Sequence, residues 1–232
     1  ENSILITRMP DKFTNVRTKG EQINKDKIVF EANTLITPAA IGFLACLGIT
    51  EITVYKKPKV AILVTGNELV KPGKKLPKGK IYESNSVMLQ AALQTIGVNK
   101  AKVFKVKDNL KATKKALKEI VTKYDVVLIS GGISVGDYDF VKEALLDNEV
   151  EELFYKINQK PGKPMFFGRK NETLVFALPG NPASSLTNFY IYVCPAIKNK
   201  MGFSEIHTTK IIRKLNSDIT NNTGKTLFLK AK

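Results

Sequence analysis

Four clusters of glycine, proline, carboxylate and lysine residues each follow an apolar run, and each suits the handling of an anion. The first is Thr65-Gly66-Asn67-Glu68-Leu69, after the apolar residues 60–64. Gly66 permits a tight turn, and Glu68 presents a carboxylate, although a glutamate in a turn is often only solvated. The second is the stretch from Ser130 to Phe140, which carries Gly131, Gly132, Ser134, Gly136 and Asp139. Its glycines let backbone N–H groups approach an anion, and a following helix adds a favourable dipole. Asp139 either caps that helix or holds a divalent cation beside a phosphate. The pattern is neither GxGxxG nor GxxxxGK[ST], which weighs against nicotinamide and P-loop nucleotide binding. In the third, Lys156, Lys160 and Lys163 surround Pro161, Gly162 and Pro164. Three ammonium groups on a proline-stiffened loop suggest anion capture, while isolated surface lysines are commonplace. The fourth is Pro179-Gly180-Asn181-Pro182-Ala183-Ser184. There Pro182 suits the first helical turn and Asn181 its N-cap, and the Ser184 hydroxyl with nearby N–H groups is expected to bind an oxyanion.

These clusters need elements to position them. Residues 60–64 read as a strand buried on both faces, as in a parallel sheet. A polar loop over 65–85 leads to a helix over 86–96, with Asn85 as N-cap and Gly97 as terminator. Strands are expected at 102–106, 126–129, 153–157 and 173–177. Helices are expected at 110–124, 138–147 and 182–200; the first of these places Leu110, Thr113, Leu117, Ile120, Val121 and Tyr124 on one face. This alternation predicts an α/β fold, a doubly wound and mostly parallel sheet flanked by helices. Such sheets bind ligands beyond the carboxyl ends of their strands, where all four clusters fall. The organisation expected is a partial mixed module and linker over 1–57, the α/β domain over 58–202, and the start of a β domain over 203–232. In the first module a short strand is expected at Val29 and Phe30, a small helix begun by Leu35, Ile36 and Pro38 and closed by Gly48, and a strand over 52–55.

Composition narrows the chemistry. With 232 residues and 43% apolar content, the chain can bury a core. No apolar run approaches the roughly 18–20 residues of a membrane span. There is no secretory leader pattern, and the opening residue is not Met, which suggests part of a longer protein. Cys46 and Cys194 lie in apolar surroundings with no CxxC, so two buried free thiols in a reducing cytoplasm are expected. The single histidine, His207, lies outside every cluster, which disfavours a histidine triad or histidine metal site. The net charge is +16, yet only four basic residues are Arg (Arg8, Arg17, Arg169 and Arg213). Arg is the residue suited to bidentate base and phosphate recognition. The lysines are therefore read as a solvated surface favourable to anionic ligands, not as a nucleic-acid footprint.

Together the stretches VAILVTGNELV, GKIYESNSVML, VVLISGGISVGDYDFVKEAL, FYKINQKPGKPMFFG and FALPGNPASSL resemble the MoeA-type molybdopterin molybdenumtransferases, which include gephyrin E-domain-like members. The likeness extends over roughly residues 17–202. It implies a molybdopterin-binding-like fold that inserts molybdate into adenylylated molybdopterin, hydrolysing the adenylate and releasing AMP with Mg²⁺. It also implies that Glu68, Asp108 and Asp139 are functional carboxylates that hold the metal, and that Lys156 and Lys160 are functional lysines. Pro179 and Pro182 match prolines that shape the site; Thr65, Gly66, Ser130 and Gly180 belong to the same matching loops. The resemblance further implies a homodimer in the full-length protein, contact with other molybdenum-cofactor enzymes, and truncation at both ends. Asn67 stands where the family's motif usually has Asp, Glu83 where Asp is common, and Asn109 where a second Asp is frequent. Three other readings stay open: a scaffold or peptide-binding member of the family, a molybdopterin adenylyltransferase, and a basic nucleic-acid binder.

Overall fold

Val60, Ile62 and Val64 alternate with Ala61 and Leu63, and both sets are buried, so this strand has apolar neighbours on either face. The two sets enter different cores. That division is what a sheet covered by helices on both sides requires.

The computed structural model describes residues 2–133 and 140–231. Helix α1 (Pro38–Cys46) precedes the sheet. Strand β1 (Val60–Thr65) leads through the short pair β2 (Leu69–Val70) and β3 (Ile81–Tyr82) to helix α2 (Asn85–Thr95). Then come β4 (Ala101–Val106), α3 (Leu110–Lys123), β5 (Val126–Ser130), α4 (Phe140–Asp147) and β6 (Glu151–Tyr155). The short β7 (Gln159–Lys160), β8 (Phe166–Lys170) and β9 (Thr173–Leu178) follow. Helix α5 (Pro182–Asn188) continues through a π-helical turn (Phe189–Val193) into α6 (Cys194–Lys200), and β10 (Thr226–Leu227) lies near the end.

The main sheet has the order β4-β1-β5-β9-β8-β6. Its first four strands are parallel, while β8 runs antiparallel to both β9 and β6. Leu89 and Leu93 of α2, with Phe189, Val193 and Ile197 of the final helix, pack against Val60, Ile62, Val64, Leu128 and Phe176. On the other face Leu117, Ile120 and Val121 of α3, with Val141, Ala144 and Leu145 of α4, pack against Ala61, Leu63, Val127 and Ile129. The doubly wound sheet expected from strand–helix alternation is thus present, with the α3 core face falling on Thr113, Leu117, Ile120 and Val121 as its period dictates.

Several local expectations are corrected. Neither Val29–Phe30 nor residues 52–55 form strands, because no neighbouring backbone pairs with them; α1 and its closing Gly48 (φ +75°) are the regular structure of residues 2–59. Within residues 203–231 lies β10, which pairs with β7. The strand β8 was not anticipated; its run Phe166-Phe167-Gly168-Arg169-Lys170 has no clean alternation. Cys194 is buried, which pushes its thiol pKa up, but Cys46 is exposed on α1. His207 is exposed in the final segment.

Candidate active site

From β1 the chain passes through α2 to β4 on one side; from β4 it crosses through α3 to β5 on the other side of β1. The strand order therefore reverses between β1 and β5, and the crevice beyond their carboxyl ends is the expected ligand site. Thr65 ends β1, and Ser130 ends β5 with Gly131 and Gly132 just beyond. Gly131 has φ +88°, and a Cβ there would lie 2.5 Å from the Thr65 carbonyl oxygen. Gly132 has φ +71°, and its Cβ would collide with Val141 of α4. Glycine is thus required twice over at each position: for a left-handed backbone and for close passage of the loop over its neighbours.

The Thr65 hydroxyl donates to Asp108 Oδ1 at 3.0 Å, so the end of β1 holds the carboxylate that follows β4. The Asp108 N–H in turn donates to Asn67 Oδ1 at 3.2 Å. This gives Asn67 a role an aspartate could also fill, as acceptor for a main-chain N–H. Asn109 caps α3, accepting from the Ala112 N–H at 2.9 Å. Glu68, next in the chain to Asn67, is exposed, and its loop is fastened through main-chain atoms, with the Ile81 N–H donating to the Glu68 carbonyl at 3.0 Å. Gly66 makes the turn with φ +149°. Among the described residues no three His, Cys, Asp or Glu side chains gather as metal ligands. Asp139, Ser134 and Gly136, named from the sequence, lie outside the described residues.

Asn85 does not cap α2. Glu83 takes that place, its carboxylate accepting from the Ser86 N–H at 2.7 Å and from the Ser86 hydroxyl. Asn85, 7% exposed, instead turns inward. Its Nδ2 donates to Ser130 Oγ at 2.8 Å and to the Gly180 carbonyl at 2.9 Å. One amide thereby fastens the loop after β5 to the loop after β9, which come within van der Waals distance where a Gly180 Cβ would stand 4.0 Å from Gly131 Cα. Sequence reading missed this role, and the signal that existed was a polar residue on the first turn of a helix already capped by Glu83. Asn85→Ala is expected to cost about 1–3 kcal/mol, since it strands a carbonyl and a hydroxyl together. Asn85→Asp, which keeps the shape but has no N–H to donate, should be at least as damaging, and Ser130→Ala milder. Thermal melts of the three variants check the order.

After β9, Pro179 is buried, Gly180 exposed, and Asn181 caps α5 behind Pro182. The expected oxyanion donors are altered here: the Ser184 N–H and hydroxyl both face Asn181 Oδ1, at 3.1 and 3.3 Å. The N-cap satisfies the groups that were expected to be open.

The lysine loop reaches the same rim by a hairpin. Phe166 pairs with Ala177 near the end of β9, and Tyr155 pairs with Phe166, so Lys156 leaves β6 at the edge where β9 ends. Lys156 has φ +63°, a conformation that costs a non-glycine residue about 1–2 kcal/mol. Its N–H donates to Met165 O at 2.8 Å, and its ammonium stands 4.9 Å from the Tyr155 ring centroid. Lys156, Lys160 and Lys163 are all exposed. The structure joins Asp108 directly to Thr65 and Asn67, and joins Ser130 to Gly180 through Asn85. It does not bring Lys156 against Glu68: β6 lies four strands from β1, roughly 19 Å at about 4.8 Å per strand. The rim thus has a carboxylate end and an ammonium end, and a ligand touching both must be extended.

Residues 61–199 match the family model described as a probable molybdopterin binding domain. The chain is 33% identical over 232 residues to a molybdopterin molybdenumtransferase of Staphylococcus aureus, covering 100% of this chain and 55% of that protein. It is 37% identical over 202 residues to one from Haemophilus influenzae, covering 87% of this chain and 50% of that protein. Two crystal structures of a molybdopterin biosynthesis MoeA protein from Pyrococcus horikoshii superpose with TM-scores of 0.69 and 0.64, at 32% and 29% identity. They cover 79% and 81% of this chain, and 45% and 44% of their own. The chain therefore spans about half the length of the relatives it matches.

Proposed function

This chain belongs to the molybdopterin-binding domain family, and on that premise we propose that it inserts molybdate into adenylylated molybdopterin, with hydrolysis of the adenylate and release of AMP. The observation that carries the reading is the extended rim itself. A glycine loop at the β1/β5 switch point and lysines at the far end suit a long, polyanionic substrate, and the carboxylates of Glu68 and Asp108 suit a cation held against it. Adenylylated molybdopterin, with a pyrophosphate between two ring systems, is such a molecule.

In this reading water adds across the phosphoanhydride, so that one phosphate leaves with the nucleoside as AMP and the other stays on molybdopterin. Molybdate is the second substrate: Mo–S bonds to the two dithiolene sulfurs form as Mo–O bonds break, the released oxygen leaving as water with the thiol protons. The oxygen donors Glu68 and Asp108 suit Mg²⁺, which commonly takes one or two carboxylates together with substrate phosphates. When bound, Mg²⁺ would neutralise phosphate charge. The loop of Gly131 and Gly132 offers main-chain approach to the phosphates, and Lys156, Lys160 and Lys163 hold the anionic end. Asp139, Ser134 and Gly136 are proposed as further members of this site on the family resemblance.

A cytoplasmic setting is part of the proposal, supported by the two unpaired cysteines. No helix among the described residues is long and apolar enough to cross a membrane. Homodimerisation is likewise proposed, supported by apolar side chains left open before α1, among them Ile4, Leu5, Met9 and Phe13. Contact with other molybdenum-cofactor enzymes follows from a product that must be handed on.

The test supplies adenylylated molybdopterin and Mg²⁺, then adds molybdate while AMP is followed by chromatography. AMP release that depends on molybdate is the expected result. Binding without release would favour a scaffolding member, and consumption of ATP with molybdopterin an adenylyltransferase.

A further inference from the structure

The backbone of the lysine loop is gripped from inside the protein. Asn188, at the end of α5, is fully buried, and Gln159 is 2% exposed. Asn188 Nδ2 donates to the Gly162 carbonyl at 3.0 Å. Gln159 Nε2 donates to Asn188 Oδ1 at 2.7 Å and to the Pro161 carbonyl at 2.8 Å. The Tyr192 hydroxyl completes the set, donating to Gln159 Oε1 at 2.7 Å. Burial pushes the Tyr192 phenol pKa up, so it remains a donor across the neutral range.

Two buried carboxamides are costly unless paired, and these spend their donors on two carbonyls of one loop. A Cβ on Gly162 (φ +97°) would overlap Asn188 Oδ1, so the loop is seated directly on that amide. The π-helical turn Phe189–Val193 starts immediately after Asn188 and contains Tyr192. Such turns concentrate at functional sites. On the outer side, the Thr226 N–H donates to the Asn158 carbonyl at 3.0 Å and the Phe228 N–H to the Lys160 carbonyl at 2.9 Å. Side chains alternate along β7, with Gln159 buried and Lys160 exposed. Fixing Gln159 inward therefore fixes Lys160 outward, and fixing Gly162 sets the departure of Lys163.

We propose that Gln159, Asn188 and Tyr192 are positioning residues, which hold the backbone of residues 159–163 so that Lys160 and Lys163 converge on the anionic end of the substrate. This rests on the transferase reading for the identity of the anion, but the grip can be measured separately. In the full chain, equilibrium dialysis with molybdate and hydrogen exchange over residues 157–165 are compared for wild type, Asn188→Ala, Lys160→Ala and the double variant. Tyr192→Phe, which removes one hydroxyl and keeps the ring, serves should Asn188→Ala fold poorly. Asn188→Ala is expected to weaken molybdate binding about tenfold and speed exchange in the loop. The double variant should lose less than the product of the two single effects, because part of what Asn188 positions is Lys160 itself and the remainder is Lys163. Unchanged binding or exchange in Asn188→Ala, or effects that multiply in the double variant, overturns the proposal. A wild-type chain that binds molybdate but never releases AMP would sink the transferase reading and leave this comparison to be judged on its own results.

Discussion

Replacing Glu68 by Ala is expected to lower molybdate-dependent AMP release by at least about 100-fold while leaving the fold intact. The side chain is exposed at the end of β1, so its loss removes no core packing. The loop stays in place through main-chain bonds: the Leu69 N–H to the Gly66 carbonyl at 3.4 Å, and the Ile81 N–H to the Glu68 carbonyl at 3.0 Å. Lys80 Nζ adds a bond to the Asn67 carbonyl at 3.0 Å. An exposed substitution of this kind normally changes stability by no more than about 0.5 kcal/mol. AMP release and thermal melting measured on the same preparation separate the two effects. A rate near wild type would remove Glu68 from the chemistry and with it the carboxylate end of the proposed site. A low rate with an unchanged melt would place the defect at the rim.

The second large effect is structural. Gly131→Ala should destabilise the protein by about 2–5 kcal/mol, the sum of a left-handed backbone and an overpacked contact with the Thr65 carbonyl. For a chain of this size that lowers the melting temperature by roughly 4–20 °C. Gly73→Ala is the internal control: φ is +84°, but nothing stands within 4 Å of its Cβ. It bears the backbone strain alone, about 1–2 kcal/mol. If the two variants melted together, close passage of the β5 loop over β1 would not be a constraint, and the switch-point crevice would be looser than described. The same substitution pushes on Thr65, whose hydroxyl holds Asp108, so activity should fall in Gly131→Ala even below its melting point.

Both predictions depend on features written plainly in the sequence. Residues 60–64 and 126–129 are continuous apolar runs, and a strand that is apolar on both faces has to be covered twice. The period of 110–124 placed Leu117, Ile120 and Val121 on a buried face, where they are found. Glycines immediately after the strands indicated tight passages, and Asn181 before Pro182 indicated a helix start. These are local signals: each is decided within a few residues by sterics or by an N–H that needs a nearby acceptor.

Other features depended on neighbours remote in the chain. Asn85 and Gly180 are 95 positions apart, and Gln159 and Asn188 are 29 apart. Nothing beside Asn85 distinguishes a helix cap from a clasp between two loops; the presence of Glu83 two residues earlier decides it, by taking the cap first. Residues 29–30 and 52–55 have the composition of strands but no backbone to pair with, and a lone strand leaves its N–H and C=O groups without partners. The antiparallel hairpin of β6 and β8 returns the lysine loop to the same rim as the glycine loops, and no local pattern in residues 151–170 foretold it. By itself, then, the sequence determined the residue types of the site, the sheet that carries them and the family resemblance, because propensity, periodicity and backbone sterics act over short range. The tertiary structure alone decided which of those residues meet, how far the lysines stand from Glu68, and which buried amides hold the loops, because those depend on hydrogen bonds and packing between segments that only folding brings together.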